Sequence, residues 1–63
     1  MTVYEINYRN RLNEMLNILI DTFGIADPKT QWFAELVKKH IDHANYDNRE
    51  LLENYFKRYT QKA

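Results

Sequence analysis

The chain of 63 residues predicts a small all-α three-helix bundle, on two grounds. Apolar residues recur at helical spacing in three segments, and two short stretches between them carry helix stop and start signals. The first, Gly24-Ile25-Ala26-Asp27-Pro28, has a glycine able to end a helix at positive φ. It also has an aspartate able to cap the next helix, and a proline at the first helical position, where no amide donor is missed. In the second, Tyr46-Asp47-Asn48-Arg49-Glu50, Asp47 and Glu50 have capping-box spacing, and Tyr46 and Leu51 fall at the positions of a hydrophobic staple.

The first helix is expected over about Val3 to Phe23. At 3.6 residues per turn, Tyr4, Tyr8, Leu12, Met15, Leu16, Leu19 and Phe23 form one stripe, opposite a face rich in asparagine. Asparagine is a mediocre helix former because its amide competes for backbone bonds, so this helix must lean on tertiary packing. Ile18 and Ile20 flank the stripe on either side, and at least one of them should be substantially exposed.

The second helix, about Pro28 to Ala44, should bury Phe33, Leu36, Val37, Ile41 and Ala44, with His40 on the same face and Trp32 at its edge. The third, about Asn48 to Thr60, presents Leu51, Leu52, Tyr55, Phe56 and Tyr59 on one side. Short links favour antiparallel neighbours and an up-down-up order; a helix-turn-helix corner between helices 2 and 3 is the alternative. The whole chain reads as a single domain, 1–63.

Size and composition narrow the function classes. A chain this short is near the lower limit for a fold held by its core alone, and without cysteine neither disulfides nor cysteine-based zinc sites can supplement it. Aromatic packing from Trp32, three Phe and five Tyr, or self-association, must do so. The longest apolar run, Ile18-Leu19-Ile20, is far short of a bilayer span, and no secretory signal pattern is present, so a cytoplasmic location is expected.

Enzyme chemistry finds little to work with. Serine and cysteine are absent and Gly24 is the only glycine, which removes the usual nucleophiles other than threonine and any glycine-rich phosphate loop. Most carboxylates have plain roles: Glu5, Glu35 and Glu53 each precede a cation by four residues, the favourable order for helix surface pairs, and Asp27 and Asp47 read as caps. His40, His43 and Asp47 form an H-x2-H-x3-D array, but Asp47 lies beyond the helix that carries the histidines. His40 is better read as a hydrogen-bonded core residue and His43 as a solvated one, and neither metal nor cofactor is expected.

Two classes remain. In a DNA-binding helix-turn-helix, the third helix would do the reading, with Asn48 and Arg49 at base edges and Lys57 and Arg58 on phosphates. Against this, nine Lys and Arg are balanced by nine Asp and Glu, and Glu50 and Glu53 would meet phosphates with the wrong sign. Only Lys57 to Lys62 is locally basic, and such tails complement helix C-termini. The other class is a regulatory or adaptor protein that binds a partner protein or a second copy of itself. Surplus apolar residues at the stripe edges, Ile18, Ile20 and Trp32, with the tyrosines Tyr55 and Tyr59, are its candidate contacts, since Trp and Tyr anchor interfaces. This second class is the expectation.

Overall fold

The computed structural model describes residues 1–61, and Lys62 of the basic tail lies outside them. Three helices account for most of the chain: α1 (Val3–Phe23), α2 (Pro28–His40) and α3 (Tyr46–Thr60). The molecule measures 34 × 21 × 16 Å. Its long axis matches α1, which at 1.5 Å per residue is about 31 Å long.

Each helix start is capped by a side chain. Thr2 and Glu5 form a reciprocal capping box on α1, with the Glu5 amide donating to Thr2 Oγ1 and the Thr2 amide to Glu5 Oε1, both at 3.1 Å. Asp27 caps α2 by accepting from the Lys29 amide at 2.8 Å, with Pro28 at the first position. Gly24 closes α1 at φ +90, a region that favours glycine, while its amide donates to the Ile20 carbonyl.

The start of α3 differs from the sequence expectation. The cap is Asn45, whose side-chain oxygen accepts from the Asn48 amide at 2.8 Å, so α3 begins at Tyr46 and Asp47 lies within its first turn. The expected staple is absent: Tyr46 is 72% exposed and Leu51 is exposed as well. α2 correspondingly stops at His40 instead of continuing to Ala44. The His40 carbonyl, which in a longer helix would accept from residue 44, accepts instead from the Tyr8 hydroxyl at 2.7 Å and the His43 amide at 3.0 Å. Asn48 then locks the turn by donating from Nδ2 to the His43 carbonyl.

Tertiary contacts establish the up-down-up order. Tyr8, early in α1, bonds to the end of α2, and Thr30, early in α2, donates to the Leu19 carbonyl near the end of α1. Phe33 in the first half of α2 packs edge-on against Tyr59, late in α3, and tilted against Phe56. Arg11 and Glu53 meet at mid-height of α1 and α3. Both neighbouring pairs are thus antiparallel, and α1 and α3 run parallel.

The core is Tyr8, Leu12, Met15, Leu19, Phe33, Val37 and Leu52, with Leu16, Phe23, Leu36, Ile41, Ala44, Tyr55, Phe56 and Tyr59 packed around it. Tyr4, assigned by spacing to the α1 stripe, is exposed because it lies close to the open end of the bundle. Thr30 is buried and keeps its hydroxyl satisfied through the bond to Leu19, while His40 is only half-buried. Among the described residues no helix is long and apolar enough to cross a membrane.

Candidate functional site

Helical register and the interhelix bonds together place the candidate side chains around the bundle. A helix turns about 100° per residue, so residues on either side of a core stripe face different neighbours. On α1, Arg9 reaches Asp42 just beyond α2, whereas Arg11 reaches Glu53 and the Phe56 ring on α3. Ile20 lies on the Arg9 side and is half-buried toward α2. Ile18 lies on the Arg11 side, toward α3, and is 38% exposed. The two isoleucines therefore diverge, as their spacing predicts, and do not share a surface.

The α1–α3 seam is closed by charge. Arg11 holds Glu53 through two parallel bonds, Nε to Oε2 at 2.7 Å and Nη2 to Oε1 at 2.9 Å. It also pairs with Glu14 and lies 5.6 Å from the centre of the Phe56 ring. Arg49 approaches the same carboxylate at 3.9 Å. The hydrogen bond from Arg11 holds the Glu53 carboxyl below its ordinary range against the opposing effect of burial, and the same pairing raises the guanidinium of Arg11 further above its usual value. This is a correction to the expected surface pairs: among the described residues Glu53 pairs with Arg11 and Arg49, not with Lys57. Arg9 pairs with Asp42, and Glu5 is engaged by Thr2.

The α2–α3 seam is open and apolar on its outer side. By helical register Leu36 lies next to Phe33 on the α3 side of α2, and Tyr55 and Leu51 lie next to Tyr59 on the flank of α3 away from α1, while Trp32 lies about 100° from Phe33 on the outward side of α2. Trp32 is 62% exposed, Leu51 is exposed, and Leu36 and Tyr55 are half-buried. Two shallow recesses lie nearby, each lined by a single helix. One is formed by Trp32, Glu35, Leu36, Lys38 and Lys39, the other by Leu51, Asn54, Tyr55 and Arg58. Tyr55 stacks at 6.2 Å on Tyr59, whose ring turns inward to Phe33. Burial raises the Tyr59 hydroxyl above its ordinary pKa. Of the five candidate contacts, Tyr55 and Tyr59 stack on each other, Trp32 lies on the outward side of α2, and Ile18 and Ile20 fall on two different sides of α1.

The residues of the nucleic-acid alternative are spread out. Asn48 spends its amide on the His43 carbonyl, and its own backbone donates to Asn45. Arg49 faces Glu53, while Lys57 and Arg58 are exposed at the far end of α3. A second apolar group escaped the sequence reading: Met1, Val3, Tyr4, Ile6 and Tyr46 are all exposed at the end of the bundle where α1 and α3 begin. Its signal was available in the apolar letters of Val3 and Ile6, which fall off the core stripe. Among the described residues no three His, Asp or Glu side chains cluster so as to hold a metal ion. No protein-family model matches the chain, and comparison with characterised proteins and with solved structures likewise gives no match.

Proposed function

We propose that this protein is a small non-enzymatic regulatory or adaptor module of the cytoplasm that works by docking the Trp32 face of α2 onto another protein. The observation that carries the reading is Trp32. An indole 62% exposed, beside half-buried Leu36 in a recess of α2, leaves a large apolar side chain in water without a structural role in the core. Aromatic anchors of this kind, set among partly buried apolar neighbours, supply much of the energy of protein interfaces. A second copy of the chain is the simplest other occupant of the same face.

The test is a pull-down from nuclease-treated extract, comparing the native chain with Trp32→Ala and with Ile18→Glu. The expected result is a captured protein that survives nuclease and moderate salt, is lost with Trp32→Ala and is kept with Ile18→Glu. Capture that Trp32→Ala leaves intact, or that nuclease abolishes, overturns the reading.

A further inference from the structure

The outward side of α2 carries its own pattern of charge. At about 100° per residue, Trp32, Glu35 and Lys39 fall within roughly 60° of one another, on the side of the helix opposite buried Val37. All three are exposed, and neither Glu35 nor Lys39 takes part in any of the four ion pairs among the described residues. One acid and one base on a single stripe make that stripe complementary to itself when it is turned end for end.

A two-fold axis makes that turn, because it sets a patch against the same patch of a second copy and runs the two helices antiparallel. With the axis at the level of Val37, midway between the two charges, each Glu35 lies level with Lys39 of the other copy. Each Trp32 then lies about 4.5 Å further along, within reach of the aliphatic stem of the same lysine. Parallel helices would instead set Glu35 against Glu35 and Lys39 against Lys39. We propose that, in the absence of a partner, the Trp32 face of α2 is covered by the same face of a second copy, as an antiparallel pair that must open before a partner docks. The inference rests on the reading of this face as the docking face and adds what controls access to it. α2 is about 20 Å long, and a face one helix wide at that length falls short of the roughly 1,200–2,000 Å² of stable interfaces. The pair is therefore weak: it forms at roughly 100 μM and above, and in micromolar solution the chain is single with Trp32 in water. Glu35 and Lys39 also have the spacing of an ion pair within one helix, a role that is indifferent to a second copy; exchanging the charges separates the two.

Sedimentation equilibrium of the full chain, run from about 10 μM to about 1 mM, brackets the expected range. The native chain should rise from the mass of one chain toward that of two. Glu35→Lys and Lys39→Glu each bring like charges together across the axis, and each should weaken pairing by roughly tenfold or more at low salt while the circular dichroism spectrum stays helical. Mixed in equal amounts, the two variants are opposite in charge along the stripe and should pair with each other at least as well as the native chain pairs with itself. Both the loss and the recovery should shrink as salt rises. An ion pair within one helix gives no recovery on mixing. A native chain that stays single at the highest concentration overturns the inference, and the pull-down with Trp32→Ala then decides the docking reading on its own. Self-association that neither variant weakens, or that mixing does not restore, assigns the contact to another surface, such as the exposed apolar end at Met1, Val3 and Ile6, and overturns the inference as well.

Discussion

The seams on the two sides of α3 were built from similar residue types and came out opposite in character. Toward α1, one arginine binds a glutamate through two hydrogen bonds, lies over the Phe56 ring and also takes up Glu14. Toward α2, Phe33 enters the core while Trp32, one residue earlier, is left in water, and the nearby cations pair with nothing in the described chain. Equal totals of acid and base thus say little about a surface. What matters is which cations the fold consumes, and here its ion pairs draw on those of α1 and the start of α3.

The strongest way to break this comparison is at the core that separates the two seams. Phe33→Ala or Leu19→Ala should cost about 2–5 kcal/mol, through lost transfer energy and the cavity left behind, and at this chain length that is enough to unfold most molecules at room temperature. Trp32→Ala, by contrast, should change stability by less than about 0.5 kcal/mol, as expected of a surface position. Urea titrations followed by circular dichroism compare the three directly. A Trp32 variant as damaged as Phe33→Ala would show that the indole belongs to the core and that the open face does not exist.

The turn that sets the height of α3 against α2 gives the next effect. Asn45→Ala removes the side-chain acceptor of the Asn48 amide and should cost about 0.5–2 kcal/mol, whereas Asp47→Ala, already inside the first turn, should lose only a favourable charge near the helix N-terminus, roughly 0.3–1 kcal/mol. Thermal melts rank the pair. If Asp47→Ala is the more harmful, the cap lies where the capping-box spacing suggested and α3 begins later.

That turn also shows what the letters conveyed and what they did not. The bounds of α1, the Gly24 stop and the Asp27-Pro28 start were all legible, because each depends on local chemistry: a glycine at positive φ, an acceptor one turn from free amides, a proline without a donor. The end of α2 was not. It depends on the Tyr8 hydroxyl reaching the His40 carbonyl across 32 positions of sequence, and no local pattern encodes such a contact. Asn45 and Asp47 are both good caps two residues apart, and the tie is broken by Asn48, which needs the His43 carbonyl within reach. At the candidate site, spacing separated Ile18 from Ile20 and put Trp32 at a stripe edge. It could not show that Tyr59 packs between Phe33 and Tyr55, since that follows from the packing of α2 against α3. The partners of Glu53 were misjudged for the same reason: an i,i+4 rule sees Lys57, but Arg11 is brought in by the parallel packing of α1 and α3.

The closed seam can be weighed on its own. A double-mutant cycle on Arg11→Ala and Glu53→Ala should return a coupling of about 1 kcal/mol, above the median for exposed pairs because the contact is two-pronged and half-buried, yet reduced by solvent screening. The coupling should decline modestly in 1 M salt. A coupling near zero would make this seam no more closed than its neighbour.

Acid titration offers the finest comparison, since the two seams respond differently to protons. Arg11 lowers the pKa of the folded Glu53 carboxyl, so the unfolded chain takes up a proton at this site more readily than the folded one as pH falls. The stabilisation is fully present above the unfolded value of about 4.3 and is lost as pH drops through the lower folded value. Glu5 shifts in the same direction through its bond to the Thr2 backbone, and Glu53→Gln separates the two contributions. The native chain should lose stability between roughly pH 5 and pH 3, and Glu53→Gln should flatten part of that loss. Burial shifts the phenols of Tyr8 and Tyr59 the other way, so their contribution holds below the unfolded value of about 10 and fades as pH rises beyond it. Trp32 fluorescence recorded through the acid range completes the contrast, because its face carries no carboxylate in an ion pair. Its emission should stay unchanged until the helical signal itself falls, and a separate earlier step would mean that a carboxylate near the indole, Glu35 first, is coupled to that face after all.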